Sequence, residues 1–360
     1  MTTREDRRQQ RLRQNAYDNP ISLGCGACHE RSMCGGLSVA EKVFDCSAFC
    51  CGKPQTCDRV CVHNPDFSER KWEVNGFDLG NVPRTRATPV PDLPSLFFLF
   101  QHRGRRLRPF GSGMAMSLYE MFERGTPNLK FSGRRALEDA YLMAPEAPFV
   151  LTGAGIDKPL ERWWQMGERN RRRGAEALWS IGPSLVTTPN YSLFSDRPRT
   201  DDLHAIKRIA TVWEEFASAG LSTALHVNAR TEHDYDRWGD FIGERPEVTH
   251  IASEFATCGL KRTEWHIEQL GLLAEKVGRP LGFVVRGGTT NLPSLMAIFA
   301  RVHLLETSIF MKSMNRQVAR EGNDGRVAWG PMRTRRNEYL DDLFEANAAV
   351  IARVNSGSRL

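Results

Sequence analysis

From Ser95 onward the chain repeats one alternation, a short apolar run ending in polar residues and then a longer stretch with apolar residues three and four apart. The short runs are Ser95–Phe100, Pro127–Phe131, Pro148–Leu151, Pro183–Thr187, Ser222–Val227, Val248–Ala252, Leu281–Val285 and Val302–Leu305, each of strand length. Helical spacing fills the gaps over Met114–Phe122, Arg134–Met143, Leu160–Trp179, Leu203–Ser218, Tyr235–Ile242, Thr263–Val277 and Leu292–Arg301. Gly220 and Gly278 fall just past two of these stretches, where a left-handed C-cap residue is expected. Eight strands alternating with helices predict a (β/α)8-type barrel. The competing architecture, an open doubly wound α/β sheet, usually carries a Gly-rich dinucleotide turn after its first strand. Here that position reads Gln101-His102-Arg103-Gly104-Arg105, which is no such turn. Asn337–Val354 is amphipathic and supplies the eighth barrel helix after an insertion at Glu321–Arg336.

Three zones precede the barrel domain of residues 95–360. Residues 1–20 are polar and rich in Arg and Gln, the composition of a basic tail that is disordered until bound. Residues 21–66 hold eight of the nine cysteines: Cys25, Cys28, Cys34, Cys46, Cys50, Cys51, Cys57 and Cys61. Residues 67–94 form a linker that ends in the Pro-rich stretch Val82–Pro94.

Eight thiols gathered in one short segment either pair as disulfides or bind metal. Met1–Gln14 is Arg-rich with no apolar run, so no secretory signal is expected there. A reducing, cytoplasmic setting then favours metal. Irregular all-Cys spacing suits an iron–sulfur cluster, which takes four thiolates from scattered loop positions. Zinc is the alternative. No C-x3-C-x2-C run occurs, so the usual radical-SAM arrangement is not supported. The segment is too poor in apolar residues to fold without its metal.

Charge bounds the partners. The net charge is +6, of which Met1–Gln14 contributes +3. Local basic runs stand out against this modest balance: Arg103–Arg108, Arg169–Arg173 and Arg333–Arg336. Such runs track phosphates or form solvated faces. No apolar run approaches the length of a membrane-crossing helix, so no membrane partner is expected.

Barrel chemistry sits at the C-terminal ends of the strands, and polar residues crowd those ends here. The fourth strand runs into Asn190, and the fifth into His226, Asn228 and Arg230. The sixth ends in Glu254, the seventh in Arg286, Gly287, Gly288 and Thr289, and the eighth in Glu306. His226 suits a general base. Glu254 and Glu306 act as acid and base if they share one cavity; otherwise they are ion-paired to Arg230 and Arg286. Two glycines followed by a helix start let backbone N–H groups approach an anion, with Arg286 as a second contact. Trp163, Trp164 and Trp179 read as packing residues or as a surface on which a base stacks.

Between Phe149 and Arg286 the chain resembles a family of uncharacterised bacterial and phage proteins, a domain of unknown function. The resemblance lies in PNYSLFSDRPR (Pro189–Arg199), the helix around Trp213, and LSTALHVNARTEHDYDRW (Leu221–Trp238). Family members tend to carry Asp where this chain has Asn190, which removes a carboxylate from that position here. The resemblance implies a bacterial or phage origin and no particular reaction.

Two functions fit these residues. One is an enzyme acting on a phosphorylated, nucleotide or nucleic-acid substrate, with the cysteine module holding an iron–sulfur cluster. The other is a non-catalytic nucleic-acid-binding protein whose metal is structural.

Overall fold

The computed structural model describes residues 66–193, 199–255, 260–287, 289–323 and 325–357. The eight cysteines of residues 21–66 and Cys258 lie outside them. Eight parallel strands close into a barrel in strict sequence order. They are β1 (Leu96–Leu99), β2 (Met114–Ser117), β3 (Phe149–Thr152), β4 (Leu185–Thr187), β5 (Thr223–His226), β6 (His250–Glu254), β7 (Gly282–Arg286) and β8 (Arg301–Glu306). β8 pairs with β1, setting Leu96 opposite Leu304 and Phe98 opposite Glu306. The barrel expectation holds, and the open sheet is set aside.

Alternation along each strand sorts side chains into two cores. Phe97, Leu99, Ala115, Val150, Leu185, Ala224, Ala252, Val284 and Leu305 fill the interior. The opposite faces pack under the helices, as with Phe98, Met116, Leu151, Val186 and Phe283. Alanines on β2, β5 and β6 make room for the large Phe97 ring. Gly113 does the same from below, because a Cβ there would lie 2.8 Å from Phe97 Cδ1.

The helices are α1 (Asp66–Glu73), α2 (Arg134–Tyr141), α3 (Asp157–Gln165), α4 (Glu168–Ala177), α5 (Arg199–Ser218), α6 (Glu232–Gly243), α7 (Leu260–Val277), α8 (Leu292–Ile298), α9 (Ile309–Met314) and α10 (Asp341–Gly357). The expected helix Leu160–Trp179 is two helices, broken where Gly167 takes φ +77° between α3 and α4. Gly220 and Gly278 have φ of +83° and +65°, and the chain turns off α5 and α7 there as expected. The insertion before α10 is the short α9 followed by an antiparallel hairpin, β9 (Gln317–Glu321) with β10 (Val327–Pro331). Buried Asn347 of α10 bolts it down: its Oδ1 accepts from Ala319 N, and its Nδ2 donates to Ser313 Oγ and Gln317 O.

One strand differs from expectation. The second barrel strand is Met114–Ser117, inside the stretch expected as a helix, and a short 3-10 turn Leu118–Glu120 follows it. Pro127–Phe131 is no barrel strand; its Leu129 makes a single antiparallel bridge to Phe122. The reason is burial on both faces. Met114, Ala115 and Met116 are all fully buried, so no in–out alternation marks the strand, and the run onward through Leu118 and Met121 mimics helical spacing.

The segment expected as a linker is a strap fastened to the barrel wall. Arg70 of α1 pairs with Asp201 in the first turn of α5. Glu73 then takes hydrogen bonds from Trp164 Nε1 at 2.6 Å and His204 Nε2 at 2.7 Å. Further along, Lys207 reaches the Asp78 carbonyl and the Asn81 side chain. Burial pushes that ammonium down to about 8. Arg245 donates to Val82 O at 2.9 Å, and Arg84 makes a two-point contact with Glu247. The Pro-rich end crosses the barrel floor, where Ser222 Oγ donates to Pro89 O and His303 Nδ1 to Pro94 O. Prolines lack an amide hydrogen, and at Pro89 and Pro94 the chain is held through its carbonyls.

Candidate active site at the barrel mouth

Ala224, Ala252 and Val284 face the barrel interior, so His226, Glu254 and Arg286, each two residues further on, face it as well. The register sets His226 beside Ala252 and Glu254 beside Arg286. Three of the expected residues thus stand on three adjacent strands, at the C-terminal end where barrel enzymes work.

His226 is fixed by one neighbour. Its main-chain N–H donates to Thr188 Oγ1 at 2.9 Å, and its Nδ1 lies 2.5 Å from Thr188 O. A carbonyl oxygen only accepts, so the ring proton is on Nδ1 and Nε2 keeps its lone pair. Burial outweighs the upward pull of that carbonyl and lowers the imidazole from 6.5 to about 4, with the Arg286 guanidinium pushing the same way. The ring is a neutral base at neutral pH.

Glu254 and Arg286 are joined directly, Arg286 Nη1 donating to Glu254 Oε2 at 2.8 Å. The two side chains are 11% and 26% exposed, so the pair is shielded without being sealed. Arg286 Nε is buried and has no acceptor among the described residues. A charged donor in that state has one hydrogen bond left to give.

Glu306 does not join them. Leu305 occupies the interior position on β8, so Glu306 turns outward. There it accepts from Ser308 N at 2.9 Å and Ile309 N at 2.8 Å, tying down the start of α9. Glu254 therefore shares the interior face with His226 and Arg286, and Glu306 does not.

Asn228 and Arg230 lie past the end of β5 and hold the β4–α5 connection. Asn228 Nδ2 donates to Tyr191 O at 2.8 Å, and Arg230 Nη1 to Leu193 O at 3.3 Å. On that connection Asn190 donates its N–H to Gly153 O at 3.3 Å, while its Oδ1 is buried without a donor among the described residues. After β7, Gly287 turns the chain with φ +78°. Gly288 lies outside the described residues, and Thr289 opens a 3-10 turn, Thr289–Asn291. Asn291 precedes α8, but its side chain caps nothing.

Sequence reasoning passed over Thr188, the residue that sets the His226 tautomer, and Gly153. A Cβ on Gly153 would lie 2.4 Å from Thr188 O, so only glycine lets the ends of β3 and β4 close. Tyr119 OH donates to Gly153 O and Thr187 Oγ1 accepts from Gly153 N, which locks that junction. The signals were Thr152-Gly153 and Thr187-Thr188-Pro189 at strand ends. Trp163 and Trp164 are core residues, whereas Trp179 is exposed and donates to the Ala219 carbonyl.

Among the described residues, no group of three or more His, Cys, Asp or Glu side chains is placed to hold a metal ion, and no helix is long and apolar enough to cross a membrane. No protein-family model and no curated protein matches the chain.

Proposed function

We propose that the chain is an enzyme whose barrel mouth acts on a phosphorylated or nucleotide-like substrate, with His226 as general base and the Glu254–Arg286 pair as the anchor for the substrate's polar or anionic group. The observation that carries it is the His226 tautomer. A buried neutral imidazole with Nδ1 pinned and Nε2 free stands next to a carboxylate–guanidinium pair whose guanidinium has a donor to spare. A base oriented from behind by a fixed acceptor is the arrangement proton abstraction requires. Of the stretches that resemble the uncharacterised family, Pro189–Arg199 opens the β4–α5 connection, and Leu221–Trp238 carries β5, the β5–α6 connection and the first turns of α6.

The cysteine segment belongs to this reading as the holder of a metal centre, an iron–sulfur cluster in preference to zinc. Its support is positional as well as compositional. α1 begins at Asp66, and Arg70 pairs with Asp201 at the start of α5, on the mouth side of the barrel. Cys61 is five residues before Asp66, a reach of about 17 Å of extended chain.

Protein purified without oxygen tests both parts. Iron with acid-labile sulfide at a stoichiometric level supports the cluster, and zinc alone replaces it with a structural module. Turnover of a nucleotide panel that disappears in His226→Ala supports the base. Turnover that persists in that variant overturns the mechanism.

A further inference from the structure

Of the three arginine runs in the sequence, folding consumes one and brings part of the second and all of the third onto a common ridge. In Arg169–Arg173, Arg171 is buried against Glu215 at 2.7 Å, and Arg172 reaches both Glu168 and Glu214. That run is part of the helix packing. In Arg103–Arg108, Arg106 is buried over the Phe100 ring at 4.7 Å and Arg108 is paired with Asp342 and Glu345. Arg103 and Arg105 have no acidic partner among the described residues, and neither have Arg316, Arg333, Arg335 and Arg336.

These six arginines come from the β1–β2 loop and the insertion after β8, which the closed barrel makes neighbours. Leu340 N donates to Arg105 O at 2.8 Å, and Arg105 N to Met314 Sδ at 3.4 Å. A Cβ on Gly104 would lie 2.5 Å from that same sulfur, so loop and insertion are in tight contact. Arg316 Nη2 donates to Arg335 O at 3.4 Å, drawing the base of the hairpin into the same cluster. The one acid between Arg333 and Leu340 is Glu338, and its carboxylate is taken by Arg335 N at 2.7 Å. Both segments follow strand C-terminal ends, β1 and β8, so the ridge stands on the mouth side of the barrel. Tyr339 projects from it, 58% exposed, beside the Leu340–Arg105 contact.

We infer that this ridge seats a single-stranded nucleic acid, whose backbone lies across the arginines, with a base on Tyr339 and its end or a looped nucleotide at the mouth. Six arginines gathered around the single carboxylate of Glu338 repel one another, and a polyanion relieves that repulsion while releasing its counterions. Guanidinium forks match phosphate oxygens two at a time. An exposed ring among them supplies the stacking platform that single strands use and that an acidic protein surface does not need. The inference rests on the proposed function for its choice of substrate at the mouth, and it narrows a nucleotide-like substrate to a strand.

The test is fluorescence anisotropy of a labelled single-stranded oligonucleotide with the full chain, from 50 to 200 mM salt. Binding should weaken with salt, and the triple variant Arg333→Ala/Arg335→Ala/Arg336→Ala should reduce the log–log slope by about 2, at roughly 0.7 for each phosphate no longer neutralised. Tyr339→Ala should weaken binding on the order of tenfold with the slope unchanged. Arg169→Ala/Arg173→Ala should alter neither. Absent binding at 50 mM salt, a slope unaffected by the triple variant, or equal binding to vesicles of anionic lipid overturns the inference. His226→Ala separates the two proposals. Strand binding together with turnover that persists in His226→Ala refutes the base alone, and turnover abolished by His226→Ala in a protein that binds no strand refutes the ridge alone.

Discussion

Thr188 holds His226 twice, through its hydroxyl on the main-chain N–H and through its carbonyl on Nδ1. The threonine ends the fourth strand's run and the histidine closes the fifth, so the barrel's own strand pairing orients the ring. The contact also fixes which nitrogen is basic, and burial fixes at what pH.

The first consequence is a pH profile. His226 is lowered to about 4, so kcat/KM in the nucleotide panel should hold its plateau down to about pH 5 and fall with an acid limb near 4. An ordinary imidazole would give a limb near 6.5. A break between pH 6 and 7 that vanishes in His226→Ala would show the ring exposed to water and the tautomer argument mistaken.

The second concerns Glu254 and Arg286. Removing Arg286 leaves a shielded carboxylate with less compensation, and removing Glu254 does the same to the guanidinium. Arg286→Ala and Glu254→Ala should each destabilise the protein, and the double variant should cost less than the sum. Partial exposure of Arg286 limits the coupling to roughly 1–2 kcal/mol, below that of a fully buried pair. Urea unfolding of the four proteins measures it. Additive costs would mean the two side chains are independent, whatever their distance.

Much of this was legible in the chain. Seven of the eight strands fall where short apolar runs end in polar residues, because those runs are buried on both faces and bounded by Pro, Gly or charge. The second strand was hidden by the same burial, since Met114, Ala115 and Met116 leave no polar residue to mark a face. The site was legible as far as strand ends reveal it, which covers His226, Glu254 and Arg286. Glu306 shows the limit of that rule. Moving one position along a strand reverses the face, and only the barrel register tells which of Leu305 and Glu306 points inward. The fates of the arginine runs were not legible at all. Arg171 and Arg335 look alike in sequence, and only tertiary contacts give one a buried carboxylate and leave the other on a ridge.

That difference predicts the third outcome. Arg171 fills its donors with Glu215 and the Trp164 carbonyl, and it lies 3.9 Å over the Trp164 ring. Burial pushes the Glu215 carboxyl up despite this partner. Arg171→Ala should then cost about 3–5 kcal/mol, the cost of stranding a buried charge. Arg169→Ala, on the exposed side of the same helix, should stay within about 0.5 kcal/mol. Equal costs in thermal or urea unfolding would contradict the assignment of Arg171 to the core.

The fourth concerns the barrel floor. Gly282 faces His250 across β7 and β6, and a Cβ there would lie 2.2 Å from His250 Cδ2, so Gly282→Ala should destabilise by about 1–3 kcal/mol. His250→Ala should recover part of that loss in the double variant. The same imidazole makes stability depend on pH. Burial lowers His250 from 6.5 to about 4, and His303, whose ring centroid is 5.9 Å away, is lowered as well. Between those two values the unfolded chain takes up a proton that the folded one refuses. Stability is therefore complete above pH 6.5 and is lost as pH falls toward 4. For a group with these values the loss at pH 5 is about 2 kcal/mol. His250→Leu should flatten the decline in urea-unfolding stability between pH 7 and 5 by about that amount. A pH dependence identical to that of the unaltered protein would place the acid sensitivity in other residues.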